Sequence, residues 1–374
     1  MSKIHCPGCG VRFQIGNKEE VGYIHEDVLL EDHNPICERC YKLKHYSQNI
    51  LIQNNREETI KEVKQAVGNS KVVLYVVEIF DFEVSFDTAI LEMLKNKKVI
   101  LIITKIDLLK IHPTKIAAWV KERVRECKLD ILEMAFISNI SQYGINGVVR
   151  KIEKFYENNI TMSVIGVTNS GKSSFIQNLL GGKTNLTISK FSGTTLKNVS
   201  QTMKDHNYKI IDTPGIIAHD RVIEHVCSNC AVKLTPTKLK VNDIKIKREN
   251  VFAIGGLAKV VAFSSHEETC VFEMAISNHV KTLSFNRKNW EKIDAEYIPE
   301  KITPPCEICK KRYTLLDKKT EKFFLKKGEE LYIGGLAFIH AKYHAAEIEI
   351  EVPANIKVVK RNSLLRLSRV KVIR

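Results

Sequence analysis

Gly166-Val167-Thr168-Asn169-Ser170-Gly171-Lys172-Ser173-Ser174 contains G-x-x-x-x-G-K-[ST], and the sequence on either side suits it. Met162–Gly166 reads as a buried strand and Lys172–Leu180 as a helix, the strand–loop–helix setting this motif requires. Loop N–H groups at a helix start cradle phosphates, aided by the helix dipole. Lys172 is expected to reach the outer phosphates and Ser173 to ligate magnesium. Gly166, Asn169, Ser170, Gly171 and Ser174 complete the expected cradle. A Gly-rich turn without a ligand is the plain alternative, and the flanking elements argue against it.

Moving outward, Asp212-Thr213-Pro214-Gly215 follows the strand candidate Tyr208–Asp212 and supplies D-x-x-G. Asp212 is expected to hold magnesium through water, and the Gly215 amide to meet a γ-phosphate. Ser192-Gly193-Thr194-Thr195 lies between the two motifs, where a threonine closes over magnesium. Either Thr194 or Thr195 fits, with Thr195 preferred. No base-reading element follows Gly215. Upstream, Thr104-Lys105-Ile106-Asp107 ends a strand and approximates N-K-x-D. Asp107 can accept from both N1 and N2 of guanine, which adenine cannot match, and the Lys105 stem is expected to lie along the ring. Ser138-Asn139, at another strand end, falls where a second guanine loop belongs. The motif order is therefore base, base, P-loop, switch I, switch II, a cyclic rotation of the usual GTPase order.

Val72–Val77, Val99–Thr104 and Leu132–Ser138 read as further strands. Phe86–Leu94 and Pro113–Cys127 read as helices, and Gln48–Lys61 as a polar link. Strands alternating with helices imply a doubly wound, mostly parallel sheet. After about residue 225 the texture turns β-branched and Lys-rich. A shift of 79 positions lays Cys227 and Cys230 on Cys306 and Cys309, and Ile254-Gly-Gly-Leu-Ala258 on Ile333-Gly-Gly-Leu-Ala337. Residues 227–374 are thus expected to be two copies of one mostly β unit. The chain then closes on a basic tail with Lys357, Lys360, Arg361, Arg366, Arg369, Lys371 and Arg374.

Eight of the 10 cysteines form four C-x-x-C pairs. Cys6/Cys9 and Cys37/Cys40, separated by 27 residues, have the spacing of a four-thiolate zinc finger. Cys227, Cys230, Cys306 and Cys309 form a second zinc site if the repeats meet, or are otherwise reduced buried thiols. Cys127 and Cys270 are expected in the core. The 374 residues are 44% hydrophobic and 27% charged, which excludes wholesale disorder. No apolar run is long enough to span a membrane, and the first residues lack a signal-peptide core, so the expected location is cytoplasmic. Lysine and arginine outnumber aspartate and glutamate 58 to 43, a net +15 that favours polyanions, nucleic acid before anionic membrane.

The whole pattern resembles the YqeH family of ribosome-biogenesis GTPases. The echoes are Cys6-Pro-Gly-Cys9-Gly, Pro35-Ile-Cys37-Glu-Arg39-Cys40, His45-Tyr46, Glu78-Ile-Phe-Asp-Phe82 and Asp212-Thr-Pro-Gly-Ile216. The expected fold is α/β: a circularly permuted, doubly wound P-loop GTPase domain (48–225), an N-terminal zinc finger (1–47) and a C-terminal mostly β repeat domain (226–374). The resemblance implies action on the small ribosomal subunit or its precursor, with rRNA as partner, no membrane, and GTP/GDP, Mg2+ and Zn2+ as ligands. Ile216 stands where many GTPases place a water-orienting glutamine, so hydrolysis is expected to be slow. Asn169 resembles the asparagine that coordinates potassium in related GTPases, which makes K+ an expected cofactor; its plain alternative is a loop-satisfying role. The catalytic set is then Lys172, Asn169, Thr195 and Gly215. Three departures stand out. Thr104 replaces the usual Asn and is expected to weaken tethering of the guanine loop, Asn139 replaces the usual Ala, and the duplicated C-x-x-C is not general in the family. The competing expectation is a zinc-dependent RNA-binding module that uses GTP only as a conformational ligand.

Overall fold

The computed structural model describes the chain except residues 1–4, 7–8, 10, 19, 21, 32–34, 39, 42–55, 110, 182–196, 204–205, 265–267, 290–301 and 367–374. It divides into two compact units, 1–107 with 122–218, and 108–121 with 219–374. Among the described residues no helix is long and apolar enough to cross a membrane.

In the first unit, helix α1 (Glu26–Glu31) belongs to the finger and α2 (Arg56–Gly68) precedes the sheet. The expected polar link is therefore helical from Arg56 onward, its apolar side buried through Thr59, Val63, Ala66 and Val67. The sheet holds β1 (Val72–Glu78), β2 (Lys98–Thr104), β3 (Glu133–Phe136), β4 (Thr161–Ile165), β5 (Val199–Met203) and β6 (Tyr208–Asp212), in the order β3-β2-β1-β4-β6-β5. All neighbours are parallel except β5 against β6. β1 is buried along its whole length, which explains its unbroken apolar sequence. β5 carries the weak pattern Val-Ser-Gln-Thr-Met, only half-buried, and periodicity did not reveal it.

The expected helix Phe86–Leu94 starts two residues later, as α4 (Thr88–Leu94), and a separate short helix, α3 (Phe82–Ser85), precedes it. Asp87 divides them because its carboxylate caps α4, accepting from Ala89 N at 2.9 Å. α5 (Pro113–Glu126), with Pro at its first position, is followed by α6 (Ile145–Glu153) and α7 (Lys172–Leu179). The strand order reverses at β1, with β2 and β3 added on one side and β4 and β6 on the other, so the crevice at the carboxyl ends of β1 and β4 is the topological switch point where open α/β sheets bind ligands. The P-loop leaves β4 there, and Thr104–Asp107 leaves β2 on the other side of β1.

In the second unit, α8 (Ser228–Leu234) and strands β7 (Leu239–Lys247), β8 (Asn250–Ile254), β9 (Ala258–Phe263), β10 (Thr269–Ser277) and β11 (Thr282–Asn286) form the first copy. α9 (Glu307–Thr314) and β12 (Lys318–Leu325), β13 (Glu329–Ile333), β14 (Ala337–His340), β15 (Ala346–Pro353) and β16 (Val358–Asn362) form the second. The copies exchange strands. One sheet runs β16-β13-β14-β10-β7 and the other β11-β8-β9-β15-β12.

The ladder registers repeat pair for pair. Phe252 faces Val260 as Leu331 faces Ile339, and Ile246 faces Cys270 as Leu325 faces Ala346. One apolar core draws on both copies, including Phe272, Ile254, Ile333 and Ile348. The Gly-Gly turns mark the exchange. A Cβ at Gly255 would fall 2.3 Å from the Pro304 carbonyl, and one at Gly334 2.5 Å from that of Asp220, so each turn seats the lead-in to the other copy.

The described part of the basic tail is structural. Arg361 is buried and pairs with buried Glu330 at 2.8 Å, its guanidinium ringed by Trp119, Tyr332 and Phe338. Lys357 pairs with Asp220 at 3.6 Å. Arg369, Lys371 and Arg374 lie outside the described residues. Cys270 is in the core as expected, whereas Cys127 is only half-buried.

Candidate nucleotide site and cysteine centres

The P-loop is packed too closely for a side chain at its first residue. A Cβ on Gly166 would sit 2.3 Å from the Val76 carbonyl and 2.9 Å from Ser170 Oγ. Lys172 is buried, and its ammonium donates to the carbonyls of Gly166 (3.0 Å) and Val167 (2.9 Å). That holds the lysine across the loop it serves. Asn169 has φ +63° and is half-buried, Ser170 is buried and bonds the Val167 carbonyl at 2.9 Å, and Ser174 lies half-buried on the first turn of α7.

Ser173 Oγ donates to Asp212 Oδ2 at 3.1 Å. A hydroxyl beside a carboxylate is a donor set suited to magnesium, which Ser173 and Asp212 would hold. The metal would neutralise developing phosphate charge when bound. Gly215 abuts the P-loop: a Cβ there would meet Thr168 Cα at 2.9 Å and Lys172 Nζ at 3.1 Å. The segment is pinned to the P-loop through Thr168 N to Ile216 O (3.0 Å) and Ile216 N to Gly166 O (3.2 Å). Ile216 is fully buried, so its side chain takes no part in positioning water. Thr194 and Thr195 lie outside the described residues.

On the base side, Thr104 is buried and donates to the Ser170 carbonyl at 2.6 Å, which ties the segment expected to read guanine to the P-loop. Asn139 adds a second tether, its Nδ2 donating to the Gly171 carbonyl at 3.2 Å, while Asn178 Nδ2 holds the Asn139 carbonyl at 3.0 Å. Lys105, at φ +58°, pairs with Glu78 Oε2 at 2.6 Å, a partner that sequence reading missed although Glu78 ends β1 beside it. Asp107 is exposed on a short 3-10 turn, Ile106–Leu108. Ser138 is buried, and its hydroxyl accepts from Ser141 N at 3.2 Å.

The sulfurs of Cys6, Cys9, Cys37 and Cys40 lie within 4.8 Å of one another, and all four residues are buried. Those of Cys227, Cys230, Cys306 and Cys309 do the same. Zinc–sulfur bonds of about 2.3 Å in a tetrahedron put sulfurs roughly 3.8 Å apart. Cys9 and Cys37 are 3.7 Å apart, and Cys227 and Cys306 3.9 Å. Both tetrads therefore fit zinc.

In the first, hydrogen bonds from the Cys37, Cys40 and Cys9 thiols pull Cys6 well below the usual thiol range. In the second, the repeat symmetry is visible in the bonds: Cys227 N donates to Cys309 Sγ (2.9 Å) and Cys306 N to Cys230 Sγ (3.1 Å). Burial pushes the Cys306 thiol up, but hydrogen bonds from the Cys309 backbone and the other thiols outweigh it and bring it down to about 7.

A family model described as "50S ribosome-binding GTPase" matches residues 161–256, which begin at β4 and take in the P-loop and Asp212–Gly215. It omits Thr104–Asp107 and Ser138–Asn139, which the rotated order places upstream. Uncharacterized protein YqeH of Bacillus subtilis is 27% identical over 98% of this chain and 100% of its own length. The chain is a circularly permuted P-loop GTPase that resembles YqeH along its length. NO-associated protein 1 of Arabidopsis thaliana is 26% identical over 71% of this chain and 55% of its own. GTPase Der of Ruminiclostridium cellulolyticum is 25% identical over 48% of this chain and 41% of its own. For this permuted GTPase, GTP and GDP are the nucleotides, Mg2+ is the implied ion, and the chemistry is GTP hydrolysis.

Proposed function

We propose that this chain is a GTP-hydrolysing assembly factor for the small ribosomal subunit, whose nucleotide state sets its affinity for an rRNA–protein particle. The observation that carries the GTPase part is the convergence of Lys172, Ser173, Asp212 and Gly215 at the switch point, with Thr104 and Asn139 tying the base loops to the same P-loop. The choice of particle draws on the resemblance to the YqeH family, on the net charge of +15 and on two zinc-type centres.

Eleven residues separate Gly215 from Cys227, so switch II leads by a short link into the β repeat. Loss of the γ-phosphate releases Gly215 and loosens that link, and RNA affinity changes with it. Co-sedimentation with small and large subunits, at fixed salt, in GDP or a non-hydrolysable GTP analogue, tests the reading. Binding to small subunits only with the analogue is expected; equal binding in both states, or binding to large subunits alone, overturns it.

Guanine selection falls to Asp107. Asp107→Asn shifts preference toward xanthine nucleotides; unchanged GTP selectivity removes the assignment. The buried Ile216 favours slow turnover by the isolated chain and keeps the second reading, a GTP-gated RNA-binding module, in play. We assign Asn169 to a potassium ion that supplies the missing positive charge. Turnover in potassium exceeds that in sodium, and Asn169→Ala abolishes the difference; equal rates in both salts for the unaltered protein dismiss the ion.

A further inference from the structure

Helix α2, upstream of every nucleotide motif, is bonded to two segments of the site. Arg56, its first residue, forks. Nη2 lies 2.7 Å from Asp87 Oδ2, and Nη1 donates to the carbonyl of Ile217. Asp87 is held in turn, because its other oxygen caps α4. Ile217 follows Ile216, whose backbone is bonded on both sides to the P-loop, and stands two residues after Gly215. Further along α2, Glu62 Oε1 takes Lys197 Nζ at 2.8 Å, and the Glu62 carbonyl takes Asn198 Nδ2 at 3.0 Å. Lys197 and Asn198 lead into β5. The backbone N–H of Lys197 donates to the carbonyl of Cys9, a finger cysteine, at 2.9 Å.

We propose that Arg56 and Glu62 are positioning residues of the GTPase site, and that the zinc finger acts on that site through the Cys9–Lys197 bond. The proposal rests on the GTPase reading above. GTP and GDP differ in a phosphate that Gly215 would meet. One helix holds both Ile217, two residues past Gly215, and Lys197–Asn198, so it biases the triphosphate arrangement without touching nucleotide. By linkage, ordering the finger and binding the triphosphate favour each other by the same factor. A planar guanidinium can serve a carboxylate and a carbonyl at once, which an ammonium on a lysine stem cannot do with the same geometry.

The test uses the full zinc-loaded chain and titrates GDP and a non-hydrolysable GTP analogue separately. GDP binding by the unaltered protein checks the nucleotide site itself, so its failure would strike the GTPase reading and not this one. Arg56→Lys weakens the analogue at the low end of a coupling range of roughly 5–150-fold and leaves GDP affinity unchanged. An unchanged ratio, or equal losses for both nucleotides, overturns the proposal. If that variant does not fold, Asp87→Asn, which leaves the arginine but frees its orientation, is read by the same criteria. For the finger, zinc chelation speeds hydrogen exchange at the Lys197 amide and lowers the analogue-to-GDP ratio. An amide unmoved by chelation overturns the finger's part.

Discussion

The two cysteine tetrads have the same ligands and nearly the same sulfur spacing, yet they sit in opposite surroundings. In the finger the four buried cysteines are themselves the core among the described residues, with Val11, Phe13 and Ile36 packed against them. In the β repeat the tetrad lies beside a large apolar core shared by both copies, and two of its thiols, Cys227 and Cys306, are half-exposed. A metal would have different work in the two places. In the finger it would substitute for hydrophobic burial that so few residues cannot supply. In the repeat it would join two copies whose exchanged strands already hold them together.

The sharpest way to break this contrast is to remove the metal. Zinc supplies about 10–16 kcal/mol to small structural units, so chelation or Cys37→Ser should unfold the finger outright, read by loss of hydrogen-exchange protection at Cys6, Ile24 and Tyr41. A finger that keeps its protection without metal would make the two tetrads alike.

A smaller effect is expected from Cys230→Ala. The repeat should stay folded, with a loss of a few kcal/mol and a melting temperature lowered by about 2–4 °C per kcal/mol. Complete unfolding of the repeat would show that its metal, too, stands in for a core. Elemental analysis should give two zinc ions per chain, falling to one in this variant.

The smallest effect concerns access. After mild chelation of the folded protein, Cys227 and Cys306 should alkylate before Cys230 and Cys309, which are 2% and 0% exposed. Mass spectrometry of the peptides reads the order, and uniform labelling would mean that the repeat opens as readily as the finger.

Much of this was legible early, for physical reasons that differ by element. β1 and β2 are buried on both faces and announce themselves as unbroken apolar runs. The P-loop is legible because Gly166 must stand where the Val76 carbonyl leaves no room for Cβ. The tethering by Thr104 and Asn139 was not legible, because the two donors stand 35 residues apart in the chain and only their common target, the P-loop carbonyls, links them. Arg361 read as a surface cation in a basic tail. Its neighbours Glu330 and Trp119 come from distant parts of the sequence, and their pairing makes it a core residue.

By itself, the sequence determined the chemistry that depends on local order: a phosphate cradle, the rotated sequence of guanine and switch motifs, four C-x-x-C pairs, and a repeat of period 79. Each is a statement about residues close together, or at a fixed offset, and backbone stereochemistry enforces it locally. Tertiary structure alone decided which strands the two copies exchange, that the two cysteine pairs of the repeat meet, and that α2 bonds both Ile217 and Lys197–Asn198, with Lys197 bonded in turn to Cys9 of the finger. Those outcomes depend on hydrogen bonds and buried surface between segments up to 161 residues apart, for which no local pattern is required.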